Sequence, residues 1–416
     1  MSNTTLTADI IAAAAVTILD NELVMAKQVF RGYESDFGKK VNGYNVGETI
    51  TIRKPTDFTV RDGATMSAQD VTEGSLTMTL NKRKGVDFKF TSQDLTTKIE
   101  DLSERVIKPA MVQLANQIDT DLMALYKDVP NWVGTPGQTI NSFADFAKGP
   151  ERLDFGAVPQ DERSAVLSPG DHWGMLGSQT ALYIQQAANG AYRQGSLGMI
   201  GGIDTYMSQN VPTHTTGNFA GTTLIDQALT TSTTSYSSIK DTGVQTIHMD
   251  GFTTAAAVVK QGDTFTIAGV YDVNPVTKAK LPHLKMFTVT ADATMASNEG
   301  DLIVSPALIW TGAFQNVWID SGTTDLNNAA VTFTGTQSTG YPQNMIFRKN
   351  AFALVTVPLV APPGAVDVSR KSYKGLNVRV IPVYDGVTDE SAWRLDVLYG
   401  TKTVDPRQAV RLSGTA

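Results

Sequence analysis

The chain has 416 residues, 41% apolar and only 18% charged, with 34 Lys and Arg against 41 Asp and Glu. It contains no cysteine, which excludes disulfides, thiolate metal sites and cysteine nucleophiles. The formal charge of −7 argues against a basic nucleic-acid groove, and with no apolar run of about 18 residues no helix is expected to span a membrane.

The length suggests two or three domains at roughly 150 residues each. Fifty-one threonines, 35 glycines and 17 prolines favour strands and turns over helical bundles. The start, Met1-Ser2-Asn3-Thr4-Thr5, has no positive region, so no secretory signal is expected. Thr7–Phe30 predicts a helix, because Ile10, Ile11, Ala14, Ile18, Leu19 and Val24 recur at helical spacing. Thr7 or Asp9 would cap it, and Gly32 and Gly38 would end it. Alternation then predicts strands at Thr49–Ile52, Leu76–Leu80 and Val86–Phe90, with the polar stretch Lys54–Ser75 as a long hairpin tip. Such a hairpin cannot bury its own faces, so it is expected to lie on another part of the protein or another copy.

A long helix is expected over Asp94–Lys127, striped by Ile99, Leu102, Val106, Met111, Leu114, Ile118, Leu122 and Leu125. Pro109 should kink or split it, Pro130 should stop it, and unbroken it would span about 50 Å. Between Asn141 and Pro212 the pattern is mixed. A short strand at Ala165–Leu167 turns at Ser168-Pro169-Gly170 into a helical stretch reaching Gln186. Residues 221–345 change character. Strands are expected at Thr246–Met249, Thr264–Val270, Met286–Thr290, Leu302–Val304, Val317–Ile319 and Val331–Thr334, which suggests a closed barrel or sandwich. This stretch holds five lysines, no arginine and ten carboxylates, a net of −5, and so reads as an insertion. Core strands return at Ala351–Pro358, Leu376–Tyr384 and Trp393–Tyr399.

No pattern of catalytic residues emerges. His172, His214, His248 and His283 lie 42, 34 and 35 residues apart, without ligand spacing, and read as scattered histidines. Gly195, Gly198, Gly201 and Gly202 lack the lysine and the strand-to-helix context of a phosphate loop and read as a turn. There is no Gly-x-Ser-x-Gly elbow. Asp119 with Asp121, and Asp161 with Glu162, read as solvated polar faces. Lys82-Arg83-Lys84 reads as a turn between strands that would be solvated or meet an acidic or nucleic-acid neighbour. Asp272-Val273-Asn274 is too short for a calcium loop. Catalytic, cofactor and metal sites are all expected to be absent.

The order of elements resembles a major capsid protein of a tailed bacteriophage, nearest the P-twenty-two-type coat proteins of podoviruses. The likeness rests on an ordered set. Leu114-Ala115-Asn116-Gln117-Ile118-Asp119 is similar to the family's spine helix. Ala191-Tyr192-Arg193-Gln194-Gly195, Gly202-Ile203-Asp204 and Val211-Pro212 are similar to its glycine-turn region, with Ile203 in place of an aromatic. Lys260-Gln261-Gly262-Asp263 through Ile267-Ala268-Gly269-Val270 resembles its inserted domain, and Phe347–Pro358 with Arg394–Gly400 its returning strands. The resemblance implies an α+β chain of the Hong Kong 97 phage capsid fold, with an inserted all-β barrel.

It further implies an N-terminal helical arm at 1–46, an extended loop at 47–92, and a spine helix and peripheral domain at 93–164 completed by 388–416. An axial domain would comprise 165–220 and 346–387, with the barrel at 221–345. The implied function is structural: self-assembly, as pentamers and hexamers, into an icosahedral virion shell around double-stranded DNA, held by non-covalent contacts, with no enzyme activity, cofactor or membrane. Scaffolding and portal proteins are implied partners, a decoration protein a further one, and the host cytoplasm the place of assembly. The acidic insertion would face away from the DNA. The alternatives are a tail-tube, fibre or surface-layer protein and, beyond those, a glycan-acting enzyme.

Overall fold

The computed structural model describes the chain apart from residues 1–7, 38–39, 42–43, 46, 55, 57, 59, 67, 69–70, 72, 92–102, 181–196, 230–242, 254–255, 321–324, 363–367 and 416. It divides into two units, one of Met1–Thr51, Thr77–Met123 and Phe352–Lys402, the other of Ile52–Leu76, Ala124–Ala351 and Thr403–Ala416.

In the first unit, the N-terminal helix runs over Ala8–Glu22 and buries Ile11, Ala12, Ala15, Val16 and Leu19. Its alanines let it lie close to the long helix and to strands Ser369–Tyr373 and Leu376–Asp385. The expected single helix stops at Glu22, and a short turn of helix follows at Met25–Gln28. The break is made by a distant side chain: the Asp119 carboxylate accepts the amides of Val24 (2.7 Å) and Ala26 (3.0 Å). Asp9 accepts from Ser369 and Lys371 on the neighbouring strand. Thr7 and Gly38 lie outside the described residues.

The long helix is a π turn at Ser103–Ile107, an α-helix at Lys108–Met123 and a 3-10 turn at Ala124–Asp128. The π turn adjoins Pro109, which has no N–H for the carbonyl four residues back, so the ladder widens there. The α-helical part is 16 residues, about 24 Å, half the length expected of an unbroken helix. Met111, Leu114, Ile118 and Leu122 form its buried stripe, while Ile99 and Leu102 lie outside the described residues.

The sheet of this unit orders Phe352–Val357, Glu390–Thr403, Leu376–Asp385 and Ser369–Tyr373. Thr49–Arg53 pairs with Ser75–Thr79 as the expected hairpin. The third predicted strand does not continue that hairpin. Lys82–Thr91 pairs antiparallel with Glu390–Thr403, from Tyr399 opposite Lys82 to Glu390 opposite Thr91. Gly85 permits the approach, since a Cβ there would lie 2.6 Å from Asp396 Oδ1 and from the Leu395 carbonyl.

Among the described residues the second unit holds two large sheets and smaller two-stranded pairs. The first orders Trp132–Val133, Ala409–Leu412, Asn344–Arg348, Arg163–Leu167, Ile203–Met207 and Met199–Ile200. Its core includes Phe146, Leu153, Leu167, Met175, Ile203, Ile346 and Val410. Ile203 is buried there. A helix not expected from the sequence covers Phe143–Phe155, capped by Ser142 Oγ, which accepts from the Asp145 amide at 3.1 Å. A second helix occupies Pro169–Thr180, and residues 181–186 lie outside the described residues.

The other sheet orders Gly221–Ile225, Gln245–Phe252, Gly300–Ser305, Lys280–Val289 and Thr264–Val273, the last pairing both Val317–Ile319 and Val331–Phe333. It closes on itself. Leu224 bridges Ala330, the Ile225 amide donates to Ala329 O (3.0 Å), and the Asn328 amide donates to Ile225 O (2.8 Å). The insertion is thus an antiparallel barrel around Ile225, Ile247, Phe265, Phe287, Val304 and Val331. Its stem is the pair Thr213–Thr215 with Gly340–Pro342.

This division cuts the chain differently from the ranges read off the sequence. Residues 352–387 group with the N-terminal and long helices because they pair with Glu390–Thr403. Residues 403–416 group with the six-stranded sheet because Ala409–Leu412 pairs with Asn344–Arg348.

Candidate functional site

The residues weighed as chemistry do not converge on an active site. Three of the histidines each meet a different carboxylate. His214 lies between Tyr126 OH (2.9 Å) and Asp263 (2.8 Å), His248 meets Asp301 (2.7 Å), and His283 lies 3.4 Å from Asp272. His172 is buried beside Trp173. Ligand atoms of Asp226, His248 and Glu299 lie within 4.8 Å of one another on the exposed side of the barrel. The hydrogen bond to Asp301 raises the His248 imidazole, which favours its charged form among these carboxylates. Gly201 and Gly202 (φ +56° and +80°) form a turn between Met199–Ile200 and Ile203–Met207, and Gly195 lies outside the described residues.

Two sequence readings are corrected. Lys82-Arg83-Lys84 is strand, not turn: Lys82 meets Asp121 (3.4 Å) and Thr401 (3.1 Å), and Arg83 meets Asp396 (2.9 Å). Asp119 is not on a solvated face; it is 1% exposed. Burial raises its carboxyl, against the pull of three backbone amides and Arg31. Asp161 and Glu162 form exposed pairs with Arg348 (2.8 Å) and Lys349 (3.1 Å). Asp272 is a buried structural anion. Burial would raise it, but Lys285 (2.8 Å) and His283 hold it well below the usual carboxylate range.

Buried charge marks the anchors of each unit. In the first, Asp396 is gripped by Arg379 (2.5 Å), Arg83 (2.9 Å) and Arg394 (2.9 Å), and these three guanidiniums outweigh burial and depress its carboxyl. In the second, Arg411 from the last strand is fully buried. It donates to the Gly262 carbonyl (2.7 Å), Gln343 Oε1 (3.4 Å) and Thr288 Oγ1 (3.3 Å), and lies 5.2 Å from the Tyr126 ring. Burial lowers this guanidinium to about 10 and raises the Tyr126 phenol to about 12. Thr288 and Gly262 belong to the insertion, so Arg411 pins the barrel to the six-stranded sheet. Nothing local in Val410-Arg411-Leu412 marks it as an anchor, and sequence reasoning missed it.

The hairpin tip is built differently. Phe58, Val60, Met66 and Val71 are 56%, 100%, 82% and 68% exposed. Four large apolar side chains within one short excursion form an unburied surface of the kind that marks an interface. Among the described residues no helix is long and apolar enough to cross a membrane.

No curated protein matches the chain. Among solved structures it is similar to one from Mycobacterium phage Che8, at 15% identity over 94% of this chain and 90% of that one, with a TM-score of 0.49. The capsid structure of Cyanophage P-SCSP1u is 10% identical over 89% and 84%, with a TM-score of 0.42. The mature capsid of bacteriophage PhiM1 is 13% identical over 89% and 82%, with a TM-score of 0.42. The profile described as P22 coat protein, gene protein 5, matches residues 1–414. The chain belongs to the P22 coat protein family: it is a capsid subunit that forms the shell of a phage virion, and not an enzyme.

Proposed function

We propose that the subunits close an icosahedral shell of pentamers and hexamers around double-stranded DNA, and that the hairpin from Thr49 to Thr79 is the extended loop that lies over a neighbouring copy. The observation that carries this reading is the exposed apolar set Phe58, Val60, Met66 and Val71. Covering each such side chain stabilises an interface by about 1.5–3 kcal/mol, so modest contacts repeated by closed symmetry suffice for a shell. The helix Lys108–Met123 serves as the spine, and the acidic barrel faces outward, away from DNA. Ala8–Gln28 acts as an arm engaging a scaffolding protein. A portal protein completes one vertex, a decoration protein is a further partner, and assembly takes place in the host cytoplasm.

Negative-stain electron microscopy of the expressed chain, with and without its scaffolding protein, tests this reading. Closed shells or curved sheets are expected. Replacing Phe58 and Val60 together by Ser should leave the subunit folded and abolish closed shells. Normal shells from that variant would refute the role of the tip.

A further inference from the structure

The N-terminal segment is fastened to its unit at several points. Asp9 accepts from Ser369 (2.5 Å) and Lys371 (3.1 Å), Asp20 accepts from Lys374 (3.0 Å), and Asp119 holds the Val24 and Ala26 amides. Phe30 bridges Ala353: its amide donates to Phe352 O (3.1 Å) and its carbonyl accepts from Leu354 (3.0 Å). Beyond Phe30 the fastening changes in kind. Arg31 spends its guanidinium on backbone carbonyls. Nε donates to Ala26 O (2.7 Å), Nη2 donates to the same oxygen, and Nη1 donates to Lys374 O (3.0 Å).

Glu34 follows, and its Oε1 is buried without a hydrogen-bond partner among the described residues. It rests against Gly375, where a Cβ would lie 2.7 Å from that oxygen. Gly375 has φ +77°, so the turn that receives the carboxyl carries no side chain. The titratable and charged groups around Glu34 are few. Its own segment gives Arg31, Tyr33 and Asp36, the facing turn Tyr373 and Lys374, the first helix Asp20 and the long helix Asp119. Lys374 is taken by Asp20, and Arg31 by carbonyls. Burial outweighs the pull of Arg31 and raises the Glu34 carboxyl to about 7.

We propose that Glu34 is a proton-operated catch: as the neutral acid it seats against the Lys374–Gly375 turn and holds Arg31–Phe37 down, and on ionisation it draws Arg31 off the Ala26 and Lys374 carbonyls and frees this stretch. The proton passes to solvent. Arg31 is the bistable element, because it can satisfy the two carbonyls or the Glu34 carboxylate, and the charge on Glu34 decides between them. A carboxyl raised on folding is most stabilising below its ordinary value near 4.5, and that contribution is lost as pH rises through about 7. The seated stretch is therefore favoured in mild acid and released in mild base.

Hydrogen exchange of the full-length subunit at pH 6 and pH 8, corrected for intrinsic exchange, reads the catch directly. Protection over residues 31–37 should fall about tenfold between the two, as the neutral fraction falls from about nine-tenths to about one-tenth. Glu34→Gln should stay protected at both. Equal wild-type protection at pH 6 and 8, or a pH-dependent fall that persists in Glu34→Gln, overturns the proposal. Should that variant not fold, the wild-type profile decides, a midpoint near 7 supporting the catch and a flat profile refuting it.

Discussion

Removing the Asp396 carboxylate should destabilise the first unit far more than removing either of its exposed partners. Asp396 is 2% exposed and Arg379 7% exposed, whereas Arg83 and Arg394 are 47% and 49% exposed. Breaking a buried pair by deleting one partner costs about 3–5 kcal/mol, because the other charge stays buried and unpaired. Asp396→Ala strands Arg379 in that way. Its Nη1 keeps the Val360 carbonyl (2.7 Å), which places the expected loss near the lower end, about 3 kcal/mol. Arg83→Gln and Arg394→Gln remove solvent-screened pairs and should each cost about 1 kcal/mol or less. Urea denaturation of the assembly-free subunit, followed by circular dichroism, gives all three values. The depressed Asp396 carboxyl adds a pH signature: its stabilisation is present above the ordinary value of 3.8 and is lost as pH falls through and below it. A cost for Asp396→Ala below about 1 kcal/mol, or equal costs for all three variants, would falsify the assignment of Asp396–Arg379 as the anchor.

Asp119→Ala removes a buried carboxylate from two amides, and should cost about 2–4 kcal/mol and open the Glu22–Met25 junction to proteolysis. An unchanged cleavage pattern would count against its capping role. Phe265→Ala, at a fully buried site in the barrel, should cost about 3–5 kcal/mol in thermal unfolding, and a shift in Tm of less than a degree would show that the barrel repacks. Lys285→Met removes the closest cation from the buried Asp272 and leaves it His283, the Val273 amide (2.9 Å) and the field of Arg152, so the barrel of that variant should gain stability in thermal unfolding as pH falls toward 5, where wild type does not.

Strands that alternate are legible one by one. Gln245–Phe252, Thr264–Val273 and Gly300–Ser305 bury every second or nearly every second residue, and the sequence shows it. Their closure is not local, since it depends on Leu224 meeting Ala330. The same holds for Lys82–Thr91: the alternation of Val86–Phe90 says strand, whereas Lys82-Arg83-Lys84 reads as a turn, and the partner that makes the whole stretch a strand lies some 300 residues on. The helix Phe143–Phe155 is hidden because Gly149-Pro150 reads as a breaker. The structure puts Gly149 where a Cβ would lie 2.6 Å from Ile346 Cδ1, so the glycine serves close packing. Asp119 and Asp121 look alike in sequence. One is buried under amides 93 and 95 residues away, and the other stays half-buried with Lys82 and Tyr399. Chain neighbours carry no trace of that difference.

The barrel's stem has a consequence for how such a chain can change over generations. Just outside the paired stem strands, the Gln343 amide donates to the Pro212 carbonyl at 2.9 Å, so the host chain leaves and re-enters at almost the same point. A gene that lost the intervening segment, or exchanged it for another, would have only a narrow gap to rejoin. The barrel is therefore a cassette, and lineages can trade it without redrawing the fold around it. The toll falls partly on Arg411, which without Gly262 and Thr288 would keep Gln343 alone, so its identity should change together with the cassette's, as should the surroundings of Lys127, Trp132 and Phe155, which meet Thr288, Met286 and Asn274.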